Sequence, residues 1–255
     1  MLTIILIAIA TFIATLIGGF AALRLKDKLH LVLGFSAGAV IAVALFDLLP
    51  EAINLGSGYF RVATMTSMVA LGFLVYLILD RVIFLHTHES LHDDDRIEHV
   101  EAGAQTISAR SDRGTLGAGT LSIHSLLDGL AIGLAFQIGT AVGAIVAVAV
   151  LIHDFSDGIN TVSMILKNSG DRKRAFRWLF VDALAPVVGV CATFFFTLPE
   201  SALSIILAIF SGFFLYIGAS DLIPESQHAH PKFLTTFMTV LGAAILYLAI
   251  RLVNI

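Results

Sequence analysis

The chain has 255 residues, of which 58% are hydrophobic and 13% are charged, and its mean hydropathy is +0.94. A composition this apolar and this poor in charge excludes a water-soluble domain and predicts an integral membrane protein. The formal net charge of −4 does not point to nucleic acid, and no nucleic-acid partner is expected. A single cysteine, Cys191, excludes an internal disulfide framework and a paired-cysteine metal site.

Eight apolar segments are each long enough to cross a bilayer as a helix, which takes about 20 residues. Unpaired backbone polar groups cannot face lipid, and segments of this length satisfy them as helices. The segments run from Leu2 to Leu23, Leu31 to Ile53, Val62 to Leu85, Leu116 to Gln137, Ala141 to Leu166, Ala175 to Leu198, Ala202 to Pro224 and Phe233 to Val253. We therefore expect an all-α membrane protein with eight transmembrane helices in a single transmembrane domain, residues 1–255.

The basic residues predict how the helices are oriented. With both termini on the extracellular or periplasmic side, 13 of the 15 Lys and Arg residues fall on the cytoplasmic side, and only Arg61 and Arg251 fall outside. This asymmetry follows the positive-inside rule and independently favours an even number of spans. The expected location is the cell (inner) membrane, with the chain crossing it many times.

The longest predicted connection, residues 86–115, is rich in histidine and acidic residues. Its polarity predicts a flexible cytoplasmic loop rather than a packed element. Its histidines are expected to form a solvated segment that collects metal weakly, with a regulatory role as the alternative.

A repeat links the second and seventh predicted helices. The sequence DLLPE at 47–51 is matched by DLIPE at 221–225, and Gly38 and Gly212 precede the two motifs at the same distance. Five steps separate these helices, so they cross the membrane in opposite directions. An inverted 3+2+3 repeat accounts for this, with helices 1–3 exchanged for 6–8 and helix 4 for 5. Such repeats are typical of secondary transporters.

Two similar hexapeptides place charge inside the apolar helices. His124 and Asp128 lie four residues apart on helix 4, as His153 and Asp157 do on helix 5, so each pair shares a helix face. Asp154 adds a third acid. Because a carboxylate at this depth costs roughly 2.5–3.5 kcal/mol and every Lys and Arg lies in a loop or at a helix end, a bound metal ion or protons must compensate. Imidazole and carboxylate ligands without sulfur suit zinc, iron(II), manganese or cadmium.

The residue pattern leaves open how many ions the helices hold. Gly129 and Gly158 directly follow the acids, and small residues here are expected to let helices 4 and 5 approach closely. Asp128 and Asp157 could then bridge two adjacent ions, or all the ligands could surround one.

Further polar residues have two interpretations each. Asp182 in helix 6 either binds metal or hydrogen-bonds a neighbouring helix, while Asp47 and Asp221 are interpreted as entry and exit ligands rather than inert caps. Ser125 and Ser156 are expected to make helix contacts rather than bind metal.

A rival function is an intramembrane metal-dependent hydrolase, since a polarised water would serve hydrolysis too. The one HExxH sequence of the chain, HESLH at 88–92, lies in the polar segment 86–115 and not beside the His and Asp pairs of helices 4 and 5, and a hydrolase has no evident use for inverted symmetry. A light- or proton-driven pump is a more remote possibility.

The whole pattern resembles the ZIP (ZRT/IRT-like) family of metal transporters. The resemblance rests on eight spans, a His-bearing third loop, and HSLLDGLAIG from position 124 followed by HDFSDG from position 153. It implies secondary transport of a divalent cation, zinc first, into the cytoplasm by alternating access. It also implies a homodimer in which one four-helix group moves against another.

The resemblance assigns residues to metal as well. It implies a transport site drawn from His124, Asp128, His153 and Asp157, with a neighbouring second site that uses Asp128, Asp154 and Asp157. Some bacterial members carry Glu just before a proline of helix 6, where this chain has Ala185 before Pro186. Asp182, about one turn away, would take the place of that ligand.

Overall fold

A computed structural model describes residues 2–22, 29–92, 102–167, 171–227 and 233–253. All regular structure within these ranges is helical. The α-helices are α1 Leu2–Ala22, α2 Leu29–Val43, α3 Leu49–Gly56, α4 Val62–His92, α5 Ala102–Ile138, α6 Thr140–Lys167, α7 Arg172–Ala192, α8 Glu200–Tyr216, α9 Ile223–Gln227 and α10 Phe233–Val253.

Eight helical stretches of the described chain are long and apolar enough to span a membrane, as predicted. We number them span 1 to span 8: Leu2–Ala22, His30–Gly56, Val62–Leu79, Gly114–Ile138, Thr140–Leu166, Arg172–Phe195, Glu200–Gln227 and Phe233–Leu252. Spans 2, 4, 5 and 7 are the most buried, and the other four expose more apolar surface. The predicted all-α fold with eight transmembrane helices is confirmed.

Spans 2 and 7 each contain a wide π-helical turn at matching places. The π-helical segment Ala44–Leu48 joins α2 to α3, and Ile217–Leu222 joins α8 to α9. These turns contain Asp47 and Asp221, the acids of the repeated motif. Short π-helical insertions in α-helices are frequent at functional sites.

The proline of each motif explains the wider turn. In span 2 the N–H of Leu49 donates to the carbonyl oxygen of Ala44, five residues back, and in span 7 the N–H of Ile223 donates to Gly218. A proline follows directly in both cases and has no N–H with which to continue an α-helical ladder. The two bonds lie 174 positions apart, the same offset as the sequence repeat.

The spans pack as two groups of four. Spans 1, 4, 5 and 6 form one group, and spans 2, 3, 7 and 8 form the other, since the most extensive helix contacts lie within these sets. Exchanging spans 1–3 with 6–8 and span 4 with 5 converts the contact of spans 1 and 5 into that of spans 6 and 4. The same operation converts the contact of spans 2 and 8 into that of spans 7 and 3.

Close helix contacts follow this exchange down to single residues. A Cβ on Gly38 of span 2 would collide with the carbonyl of Thr239 in span 8, and one on Gly212 of span 7 would collide with the carbonyl of Val69 in span 3. Both glycines therefore let two backbones touch, as small residues do between membrane helices. The inverted repeat predicted from two short motifs extends to the packing of the helices around them.

The group of spans 1, 4, 5 and 6 obeys the same rule. A Cβ on Gly18 would strike the carbonyl of Phe155 in span 5, and one on Gly189 would strike that of Leu126 in span 4. Phe155 and Leu126 are 29 positions apart, the offset between the two hexapeptides.

The predicted loop 86–115 overlaps two long helices. The backbone of α4 is helical through His92, and α5 begins at Ala102, so most of this segment continues the helices of spans 3 and 4. Residues 93–101 lie outside the described part of the chain. The helix boundaries therefore differ from the predicted loop boundaries, and the flexibility and cytoplasmic location of the segment stay predictions.

Candidate metal centre

Four side chains from spans 4 and 5 meet in the interior of the protein. His124 and Asp128 lie one turn apart on α5, and His153 and Asp157 lie one turn apart on α6. No residue of the four is more than 4% exposed. One ligand atom from each falls within 4.8 Å of the others. The i, i+4 spacing therefore places the two ligands of each span on one helix face, as predicted. The antiparallel pairing of the two spans brings the two pairs together.

The distances between these atoms suit a small four-coordinate cation. Nε2 of His124 lies 3.2 Å from Oδ2 of Asp128 and 3.6 Å from Oδ2 of Asp157. Nε2 of His153 lies 3.2 and 3.9 Å from the same two oxygens. Ligands about 2.0–2.2 Å from a tetrahedral zinc ion stand about 3.3–3.6 Å apart. The cluster therefore needs only small adjustments to surround one ion.

A hydrogen bond to the backbone orients the imidazole of His153. Its Nδ1 lies 2.9 Å from the carbonyl oxygen of Ala149 on the preceding turn. A carbonyl only accepts, so Nδ1 carries the proton and donates it, and in the neutral ring this leaves the lone pair on Nε2, which faces the acids. Metal-binding histidines commonly have this arrangement, in which the outer nitrogen fixes the tautomer.

Unpaired polar atoms concentrate in the predicted metal residues. Among the described residues, six buried side-chain nitrogen or oxygen atoms have no hydrogen-bond partner: Asp47 Oδ2, His124 Nε2, Asp154 Oδ1, Asp154 Oδ2, Asp157 Oδ2 and Thr235 Oγ1. Five of the six belong to side chains that the sequence singles out for metal. Buried polar groups without partners are costly, and a cation held by the cluster would give His124 Nε2 and Asp157 Oδ2 a partner.

Asp182 lies beside the cluster but has partners of its own. Its Oδ1 accepts a hydrogen bond of 2.8 Å from the hydroxyl of Ser125 on span 4, and its Oδ2 accepts one of 2.9 Å from Thr161 on span 5. The carboxylate therefore ties span 6 to both ligand-bearing helices. Of its two interpretations, the hydrogen-bonding one describes these contacts, and metal binding by Asp182 stays a prediction.

The remaining predicted residues surround the four-residue cluster at different distances along the spans. Asp154 is fully buried next to His153, but its oxygens are not among the four clustered ligand atoms. Asp47 is 5% exposed in the π-helical turn of span 2. Asp221 is half-buried in the equivalent turn of span 7, close enough to Asp157 for the two carboxylates to interact electrostatically. Neither turn contributes an atom to the cluster.

The expected role of the two glycines is wrong. A Cβ on Gly129 would meet the carbonyl of Pro186 in span 6, and one on Gly158 would meet the carbonyl of Thr15 in span 1. The glycines therefore bring spans 4 and 5 close to their outer neighbours, not to each other. The physical reason is rotation: a residue directly after the acid points about 100° away from it on a helix.

Two contacts of the site, both made by Ser36, could not be predicted from motifs. Ser36 of span 2 donates to the carbonyl of Ile152, and its hydroxyl lies 2.9 Å from that of Ser156, one turn from His153. Ser125 and Ser156 thus make helix contacts, as expected, but their partners come from other spans. Thr161 could have been noticed, because it follows Asp154 by seven residues and so shares its helix face.

Comparison with known proteins agrees with this geometry. A family model described as "ZIP Zinc transporter" matches residues 85–249, which include spans 4 to 7 and both hexapeptides. The chain belongs to the ZIP zinc transporter family. Metal transport by a membrane protein is thereby supported for the chain, in line with the donor set of the cluster.

Individual ZIP relatives differ in how much of their length is shared. The chain is 24% identical to the zinc transporter ZupT of Corynebacterium aurimucosum, over 94% of this chain and 93% of that protein. It is 23% identical to the zinc transporter YKE4 of Saccharomyces cerevisiae, over 81% of this chain and 65% of the other. With the zinc transporter zipt-7.2 of Caenorhabditis elegans the identity is 31%, over 49% of this chain and 29% of that protein. The chain thus spans less than two thirds of YKE4 and zipt-7.2 but nearly all of the bacterial protein.

Proposed function

We propose that this protein is a secondary transporter that moves a divalent cation across the membrane into the cytoplasm, with zinc as the leading candidate. The observation that carries the proposal is the buried cluster of His124, Asp128, His153 and Asp157 near the middle of spans 4 and 5. A shell of two imidazoles and two carboxylates without sulfur suits zinc and also accepts iron(II), manganese or cadmium. The relatives named above as zinc transporters favour zinc among these ions.

The route of the ion follows the two π-helical turns. The cation enters past Asp47, is bound by the four clustered residues, and leaves past Asp221. Within each helix group the inverted repeat relates one pair of spans to the other, and this internal symmetry supports alternating access. Exchanging the conformations of the two repeats would open the site first to one side of the membrane and then to the other. The 13-to-2 distribution of basic residues supports termini outside. Uptake directed inward is what membership of the ZIP family implies.

Asp154 provides for a second ion next to the first. It is adjacent to His153, fully buried, and neither of its oxygens has a hydrogen-bond partner. A cation shared by Asp128, Asp154 and Asp157 would neutralise it, with Asp182 as a further ligand if its two hydroxyl donors turn away. We propose the cell membrane as the location and a homodimer as the assembly.

Uptake into proteoliposomes tests the proposal. Purified native protein is compared with His153→Ala and Asp157→Ala for uptake of zinc, iron(II), manganese and cadmium. His30→Ala is the matched control, because His30 lies near the start of span 2 and outside the cluster. We expect saturable zinc uptake by the native protein and by His30→Ala, and its loss in both cluster variants.

Two other outcomes contradict the proposal. Uptake that persists in both cluster variants would show that ions do not pass through this site. Stoichiometric zinc binding without any ion crossing the membrane would favour the intramembrane hydrolase, and assays for lipid or peptide cleavage by the metal-loaded protein would follow.

A further inference from the structure

Each imidazole of the cluster packs on an aromatic ring from the other helix group. The ring centre of His124 on span 4 lies 5.9 Å from the ring centre of Tyr76 on span 3, and the interplanar angle is 88°. The ring of His153 on span 5 lies 5.8 Å from that of Phe214 on span 7, at 75°. These separations and near-perpendicular angles are the favoured geometry of aromatic pairs.

Tyr76 belongs to a larger aromatic wall, and Phe214 lies on the same span as most of its rings. The wall lies on spans 3 and 7 and consists of Phe73, Tyr76, Phe210, Phe213 and Tyr216. Tyr76 touches Phe213 at 5.5 Å and Tyr216 at 5.2 Å between ring centres. Phe214 itself is 2% exposed. The side of the cluster that faces spans 3 and 7 is therefore covered by packed rings.

The inverted repeat shows that the fold does not require rings at these places. The repeat equivalent of Phe214, 174 positions earlier, is Val40. Val69 of span 3 and Thr239 of span 8 make the equivalent glycine contacts described above, and they are 170 positions apart. The same offset makes Leu246 of span 8 the repeat equivalent of Tyr76. Val40 and Leu246 are both buried aliphatic residues. The backbone symmetry thus accepts aliphatic side chains here, and the aromatic ones occur on spans 3 and 7, where they touch the imidazoles.

We propose that Tyr76 and Phe214 are positioning residues, which hold the imidazoles of His124 and His153 in their metal-binding orientation and close that side of the site to water. The inference rests on the proposed function, since it concerns the same ion site. A ring packed against an imidazole limits its rotation, so less freedom is lost when Nε2 binds the ion. The apolar surroundings of a metal site also control how much water reaches it.

Zinc affinity of the purified full-length protein measures this role. The variants are Tyr76→Leu, Phe214→Leu and Phe214→Met, of which the last keeps side-chain volume without a ring. Tyr76→Phe restores the ring without the hydroxyl. The matched controls are Phe73→Leu and Phe210→Leu, whose rings pack on Tyr216 and Phe213. Dissociation constants come from calorimetric titration with zinc, and KM and maximal uptake come from proteoliposomes.

The expected result is a split between the two sets of variants. Loss of either imidazole-contacting ring should raise the zinc dissociation constant and KM about three- to tenfold, as the size of aromatic-pair energies suggests. Tyr76→Phe should stay within about twofold of the native protein because it keeps the ring that packs on His124. Both controls should do the same, because their rings pack on other rings of the wall.

A different pattern would overturn the inference. If the ring-removing variants bind zinc like Phe73→Leu and Phe210→Leu, the wall has only a packing role, provided that His153→Ala still abolishes binding. If His153→Ala binds zinc as the native protein does, the proposed ion site fails first and the inference fails with it.

Discussion

Nε2 of His153 lies 3.2 Å from Oδ2 of Asp128, so a ligand from span 5 meets a ligand from span 4 at one point. A single residue, Gly139, separates the helices that carry them. Consecutive spans cross a membrane in opposite directions, and two hexapeptides related by an in-plane axis therefore face each other at mid-depth. This contact underlies the predictions that follow.

Glycine substitutions test the close contacts that hold the ligand helices in place. Gly129→Ala and Gly158→Ala should each lower stability by about 1–3 kcal/mol, because the new methyl group meets a backbone carbonyl that cannot move aside easily. Gly139→Ala is the control, since nothing lies within 4 Å of a Cβ built there. Thermal unfolding in detergent gives the comparison. Equal melting temperatures for all three variants would contradict the packing.

Asp182 is predicted to act through its hydrogen bonds. Asp182→Ala should cost about 1–3 kcal/mol of stability, because the hydroxyls of Ser125 and Thr161 lose their buried acceptor. The cost should shrink when Ser125→Ala and Thr161→Val are introduced first, because a double-mutant cycle reports the shared interaction. The zinc stoichiometry of Asp182→Ala tests the other interpretation, metal binding by Asp182. If this variant binds one equivalent of zinc less than the native protein and is equally stable, Asp182 is a ligand.

How much of this site could be predicted depended on distance along the chain. The i, i+4 pairs and the eight spans follow from helix periodicity and bilayer thickness, so His124 with Asp128 and His153 with Asp157 were found from sequence. The partners of Asp182 and the neighbours of Gly129 were not, because they depend on how each helix is rotated against another. One apolar sequence is compatible with many such rotations, and the rings at Tyr76 and Phe214 have no periodic signal.

The hydroxyl contact between Ser36 and Ser156 is predicted to break during transport, because it joins the two helix groups. Its oxygen atoms are 2.9 Å apart. The two cysteines are introduced as Ser36→Cys and Ser156→Cys in a chain that also carries Cys191→Ala. Oxidation should join them in a disulfide and stop zinc uptake, and reduction of the disulfide should restore the uptake. Each single cysteine variant serves as the control. Undiminished uptake by the fully crosslinked protein would show that spans 2 and 5 do not separate.

Zinc uptake is predicted to weaken in acid. Protons compete with the ion for His124 and His153, since a metal binds only the neutral imidazole. Lowering the external pH from about 7.5 to about 5.5 should therefore raise KM with a smaller effect on maximal uptake. Initial rates at several zinc concentrations separate the two parameters. A rate that rises steadily over this range would indicate coupling to protons instead.

The central claim is that His124, Asp128, His153 and Asp157 together bind the transported ion, and X-ray absorption at the zinc edge tests it most directly. Protein loaded with one equivalent of zinc should show about four nitrogen or oxygen ligands near 2.0–2.1 Å, two of them imidazole. His124→Ala should lose one imidazole from the shell, while His30→Ala leaves it unchanged. A shell containing sulfur, or one that His124→Ala does not alter, would contradict the claim.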